Sequence, residues 1–217
     1  MTGMTLSRPA RSKEPLALLV IALIGLFISG IGPYDRLTWV MEIAPILIAI
    51  PLLVATHRRF PLTPLLYRLI LLHALILMLG GHYSYARVPL GYWAQDLFDL
   101  TRNHYDRLGH LAQGFIPAII TREILVRTSP LKPGGWLFFI VVCLCLAFSA
   151  FYELVEWWSA LAFGEAATDF LGTQGDAWDT QWDMFLAVVG ALTAQLLLAR
   201  THDRALQRLL TEPEIDI

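Results

Sequence analysis

Six stretches of this chain, at about 16–32, 38–55, 63–83, 106–125, 135–162 and 179–199, stay apolar for close to the length a helix needs to cross a bilayer. A hydrocarbon core of ~30 Å takes ~20 residues of α-helix. Lipid offers the backbone no hydrogen-bond partners, so an open sheet or bare loop cannot span it. The expected fold class is therefore all-α: a polytopic transmembrane bundle of about six helices, forming one domain over 1–217. Composition agrees, because 56% of the 217 residues are hydrophobic and only 16% are charged, against ~25% charged in soluble domains. Six spans and short connections leave no length for a soluble domain.

Proline placement fits these boundaries. Pro15, Pro33, Pro61, Pro64 and Pro133 fall at or beside span ends, where a missing N–H costs little. Pro45, Pro51 and Pro117 lie inside spans and are expected as kinks, which neighbouring helices can satisfy. Cys143 and Cys145 are two residues apart in an apolar run, on different helix faces, so they read as packing residues and not as a disulfide.

Basic residues set the orientation. Arg8, Arg11 and Lys13 precede the first span, Arg58 and Arg59 follow the second, Arg122, Arg127 and Lys132 follow the fourth, and Arg200, Arg204 and Arg208 follow the sixth. Such ends are cytoplasmic by the positive-inside rule. The opposite connections hold only Arg36, Arg87, Arg102 and Arg107, while Glu165, Asp169, Asp176 and Asp179 crowd the last of them. Both termini are then expected in the cytoplasm. The basic start and first apolar run imitate a secretory signal, but Ile28-Ser29-Gly30-Ile31-Gly32-Pro33 offers no convincing cleavage site, so an uncleaved first helix is expected. Trp39, Trp93, Trp157, Trp158, Trp178 and Trp182 map to the outer interface, as aromatic anchors do, and Trp136 to the inner one. Between spans three and four, Trp93, Leu97 and Leu100 share a helical face away from Asp96 and Asp99, which predicts an amphipathic helix lying on the outer surface. No cluster of Lys and Arg with interleaved aromatics suggests a nucleic-acid partner. The expected partner is the bilayer.

The polar residues inside the spans are arranged in stripes. Asp106, His110 and Gln113 recur at i, i+4 and i+7 on the fourth span, with Gly114 and Pro117 continuing the stripe; Ser149, Glu153 and Glu156 do so on the fifth; Asp179 and Asp183 open the sixth. All sit in the outer half. An unpaired Asp near the middle of a span costs ~2.5–3.5 kcal/mol even on insertion scales, so these acids should face the interior and be paired, protonated or bound to something. Asn103 to Asp106 and Asp176 to Asp179 resemble capping boxes, which would give Asp106 and Asp179 a structural role. His110, Glu153, Glu156 and Asp183 lie too deep for capping and rank highest as functional residues. His82 is a weaker candidate for the same cluster, and His73 points away from it. Gly172 to Asp176 reads as a tight turn into the last helix, and Gly190 with Ala194 as a close-packing pair.

Three segments carry a family resemblance: Tyr105-Asp106-Arg107-Leu108-Gly109-His110-Leu111-Ala112-Gln113-Gly114-Phe115, Glu153-Leu154-Val155-Glu156-Trp157-Trp158, and Leu171 to Met184 with its Gly172-Thr173-Gln174-Gly175-Asp176 turn. Together they resemble the YjdF-type family of bacterial inner-membrane proteins, whose domain has no assigned function. The resemblance implies a multi-pass plasma-membrane protein and supplies no activity. A weaker similarity runs to VanZ-like envelope proteins, with Asp106/His110, Glu153 and Asp179/Asp183 before Gly190 as the matching positions. The Asn and Arg of the VanZ-like C-terminal motif are not evident, so no glycopeptide-resistance function is implied.

Three functions fit these residues. In the first, Asp106, His110, Glu153, Glu156, Asp179 and Asp183 hold a divalent metal, with Glu153, Glu156 or Asp183 serving catalysis on a lipid or lipid-linked envelope substrate. Carboxylates with one imidazole and no thiolate suit Mg²⁺, Mn²⁺, Fe or Zn²⁺ without choosing among them. Neither the His-Glu-x-x-His nor the Glu-x-x-His motif is present. In the second, the acids carry protons or a cation across the membrane; in the third, they glue helices together in a scaffold.

Overall fold

The computed structural model describes residues 13–164, 168–171 and 173–211. Arg8, Arg11, Glu165 and Gly172, named above, lie outside the described residues. Every element among the described residues is helical. The chain runs through α1 (Glu14–Ser29), α2 (Arg36–Thr56), α3 (Pro64–Tyr83), a 3-10 turn (Tyr85–Arg87), α4 (Pro89–Phe98), α5 (Tyr105–Thr128), α6 (Gly135–Phe163), the short α7 (Thr168–Leu171) and α8 (Asp179–Thr211). Helices α2 and α5 continue through Pro45, Pro51 and Pro117.

By length and composition α2, α3, α6 and α8 can each cross a membrane, and α1 is a shorter apolar helix. The fourth expected span, α5, is long enough but carries too many polar residues to be picked out on hydropathy. Its position explains this. It lies at the centre of the bundle, most closely against α8 and also against α6 and α3, so protein and not lipid meets its polar face. The last helix continues 12 residues beyond the expected end at 199, because His202 and Leu206 still find buried places after the apolar run stops.

Glycine sets the distance between α5 and α8. A Cβ on Gly114 would collide with the backbone carbonyl of Ala187, and one on Gly190 would collide with the backbone of Leu111 and Phe115. The two helices therefore touch main chain to main chain, each glycine accommodating the other helix. Gly190 does act in close packing, as expected, with Gly114 as its counterpart. Below this seam an apolar layer of Leu66, Ala118, Ile119, Val141, Ala191 and Ala194 ties α3, α5, α6 and α8 together.

Connections at the Asp106 end are pinned by side chains. Asn103 accepts from Tyr105 N at 3.0 Å and donates to Val88 O at 3.0 Å, joining the starts of α4 and α5. Gln174 donates to Asn103 O at 2.8 Å, so the turn before α8 sits on the start of α5. That turn closes with Asp176 N donating to Thr173 O, and Gly175 adopts a φ of 85°, which its missing Cβ permits. A helix does form between the third and fourth expected spans, with Leu90, Trp93, Leu97 and Phe98 of α4 exposed, but it ends at Phe98, where Asp99 turns left-handed, so Leu100 lies beyond the expected face. Of the expected interfacial tryptophans, Trp39 turns inward and donates to Ser29 Oγ at 3.2 Å.

Candidate functional site

At the Asp106 end the stripes of α5, α6 and α8 converge. His110 is almost fully buried, with Nε2 3.6 Å from Asp106 Oδ1 and 3.8 Å from Asp183 Oδ2. Asp106, His110 and Asp183 can each contribute a ligand atom to a group spanning no more than 4.8 Å, and so can His110, Glu153 and Glu156. Two atoms each ~2.0–2.2 Å from one ion lie about 3–4 Å apart, so these gaps suit an ion better than direct hydrogen bonds. Four polar atoms of this region, His110 Nδ1, Glu153 Oε1, Asp183 Oδ1 and Ser149 Oγ, are buried without a hydrogen-bond partner in the protein. Buried polar groups are rarely left so.

The sequence did not place Glu42 in this group, although it is the lone acid of the second span. It is buried on α2 and receives the Tyr152 hydroxyl at 3.4 Å, with Tyr85 close by. Tyr85 reaches it through a slot between Gly80 and Gly109, where either Cβ would strike its ring. Only packing reveals this, since the two tyrosines carry no stripe. His82 does not join: its Nδ1 meets Ser29 O at 2.9 Å, facing α1.

A second layer, of ion pairs, lies across the helix starts. Arg102 donates to Asp179 Oδ1 at 2.7 Å and stands 3.5 Å from Asp176, while Arg107 donates to Asp176 at 2.8 Å and lies over the Trp182 ring. Asp179 is thus paired with an arginine and sits apart from the two ligand groups around His110. The expected capping boxes do not form as such. Asn103 and Asp176 instead accept from the N–H two residues on, Tyr105 and Trp178, so Asp106 is left facing His110. Burial and the adjacent Arg107 and Arg102 hold the His104 imidazole below the ordinary histidine range.

The opposite end of the bundle, where Arg122 and Arg127 stand out in the sequence as basic residues, holds a buried network. Glu123 is fully buried, accepting from Thr63 N at 3.1 Å, Thr63 Oγ1 at 2.8 Å and Arg127 at 2.9 Å, with His202 Nε2 at 3.0 Å. Arg122 Nη1 lies 2.7 Å from His202 Nδ1 and 2.7 Å from Asp203. An arginine donor at Nδ1 requires the proton on Nε2, directed at Glu123. Every member has a partner, which marks a clamp between α3, α5 and α8.

Residues 14–204 match the model of a family described as predicted membrane protein, DUF2238. The chain belongs to that family. It is also 55% identical over 202 residues, 91% of this chain and 96% of the relative, to a protein named inner membrane protein YjdF from Escherichia coli strain K12. No solved structure matches. This DUF2238 chain is thus a multi-pass membrane protein of a family without an assigned reaction.

Proposed function

We propose that the His110 cluster is a divalent-metal centre that processes a lipid or lipid-linked envelope substrate. In this reading the chain lies in a bacterial inner membrane with the basic helix ends and both termini in the cytoplasm, so the cluster opens toward the outer leaflet. One observation carries the proposal: His110 Nδ1, Glu153 Oε1 and Asp183 Oδ1 are buried together without partners. A merely structural cluster would be expected to close its own hydrogen bonds, as Glu123 does at the other end. Asp106, His110, Glu153, Glu156 and Asp183 form a hard donor set of carboxylates and one imidazole, which fits a divalent cation. Bound there, such an ion supplies Lewis acidity toward an ester or phosphoester oxygen. Glu156, partly exposed as a residue where Glu153 is buried, would accept a proton from an incoming nucleophile. Trp178, Trp182 and the apolar face of α4 are exposed at the same end, which favours a substrate held at the membrane interface.

Metal analysis of the purified full-length protein tests this. Stoichiometric divalent metal is expected in the wild type and is lost in both His110→Ala and Glu153→Gln. A folded wild type that takes up no Mg²⁺, Mn²⁺, Fe²⁺ or Zn²⁺ sinks the reading. A cation or proton flux into liposomes that disappears in the same variants would replace it with transport.

A further inference from the structure

At the end of the bundle remote from His110, α5, α6 and α8 border an open cavity of about 370 Å³, lined among others by Arg122, Gly134, Gly135, Phe138, Gln195 and Asp203. Small-molecule pockets run from ~300 to ~1,000 Å³, so the space suits a compact ligand.

The lining is chemically two-signed. Arg122 is 4% exposed, yet its hydrogen bond to His202 and its ion pair with Asp203 both use Nη1. No hydrogen bond runs from Nη2 or Nε among the described residues, and neither belongs to the buried, partnerless atoms. A nearly buried guanidinium with donors to spare on a cavity wall calls for acceptor oxygens. The same cavity meets the start of the 29-residue α6, whose N-cap, Gly134, makes no side-chain capping bond. A Cβ at Gly135 would touch nothing within 4 Å, so that helix start is open. Its free N–H groups and positive dipole end favour an anion. Asp203 contributes the opposite sign: its side chain keeps 34% exposure although paired with Arg122. One guanidinium and one carboxylate leave the lining neutral, which suits a ligand carrying both charges.

Gly135 also borders a shallow hollow of about 440 Å³ formed with Trp136 and Phe139, two exposed rings in edge contact at 6.3 Å. The polar cavity and this shallow apolar surface thus adjoin at Gly135, the relation a headgroup bears to its acyl chains.

We propose that this cavity binds the headgroup of a membrane phospholipid of the phosphoethanolamine type. The phosphate lies against Arg122 and the first turn of α6, the ammonium faces Asp203, and an acyl chain follows Trp136 and Phe139. The site is separate from the His110 cluster and does not depend on it.

The test uses full-length protein reconstituted with equimolar phosphatidylethanolamine and phosphatidylglycerol, then native mass spectrometry of the lipid retained. Wild type is expected to keep the ethanolamine lipid severalfold over the glycerol lipid. Asp203→Asn, which leaves the lining positive, should abolish or reverse that preference, and Arg122→Lys should weaken retention of both lipids. Because Arg122 also anchors His202, each variant's melting temperature is measured; Asp203→Asn, at the more exposed position, carries the test if the Arg122 variant unfolds. Equal retention of the two lipids by wild type, or an unchanged preference in Asp203→Asn, overturns the proposal. So does release of the bound lipid by excess inorganic phosphate, which would identify a site for free anions.

Discussion

Glu123 and Glu153 are both buried carboxylates on long helices, but their oxygens meet different surroundings. Glu123 has Thr63, Arg127 and His202 around it, whereas Glu153 Oε1 has no partner. Breaking a buried, fully paired charge leaves its partners stranded, at a cost of roughly 3–5 kcal/mol. Glu123→Ala should therefore destabilise the protein by about that much. Glu153→Gln and Asp183→Asn each remove an acid from a group in which His110 is the one basic side chain and Glu153 Oε1 and Asp183 Oδ1 have no hydrogen-bond partner, so the chelator-treated protein should lose little stability. Unfolding of the three variants in one detergent decides this; a Glu123 variant as stable as wild type, or large losses in both others, contradicts it. The sequence displayed one of these sites and hid the other. His110, Glu153 and Asp183 stand out because each interrupts an apolar run. Glu123 lies between Arg122 and Arg127 at a helix end, where charge is ordinary, and its partner His202 is 79 residues away.

Helices α5 and α8 form one unit because Gly114 and Gly190 each meet the backbone of the other helix with no side chain between. Adding methylenes to a well-packed contact costs ~1–3 kcal/mol, and a leucine facing backbone has no rotamer of escape. Gly190→Leu should thus lower the melting temperature and, by separating Asp183 from His110, impair metal uptake in any fraction that folds. Gly25→Ala is the control: its Cβ would meet the ends of Met78 and Leu75, which can shift, so little change is expected. Wild-type stability in Gly190→Leu would show that the two backbones are not so close. At this scale the sequence was informative about helix positions, since apolar length marks them directly. It was poorer on ends. The capping reading of Asn103 and Asp176 had the correct residue types, but the acceptors turned to the N–H two residues on, a local choice that spacing alone does not reveal. The continuation of α8 was hidden because hydropathy follows lipid contact, while helicity past 199 is supported by protein contact at His202 and Leu206.

Across the whole molecule, two polar clusters lie at opposite ends with the apolar layer around Leu66, Ile119 and Val141 between them. Their assignment to the two sides of the membrane is open to direct measurement. With Cys143 and Cys145 replaced, a cysteine at Gln174 should react with an impermeant thiol reagent on intact spheroplasts, and one at Thr211 only after permeabilisation. The reverse pattern would invert the proposed orientation and move the His110 cluster to the cytoplasmic leaflet. Fold class was legible because bilayer thickness imposes one length scale on every span. The site was legible only in part, because which stripes meet depends on helix rotation and on Glu42, Tyr85 and Tyr152, whose convergence no local pattern encodes.

The glycine seam has a mechanical consequence for the cluster above it. Asp106 and His110 ride on α5 and Asp183 on α8, two helices with no clearance between them, so these three donors behave as a fixed jaw. Glu153 and Glu156 ride on α6, where no described glycine meets another helix's backbone, and form the opposing one. If a cation sits between them, the seam defines its position while the reach of α6 selects its radius.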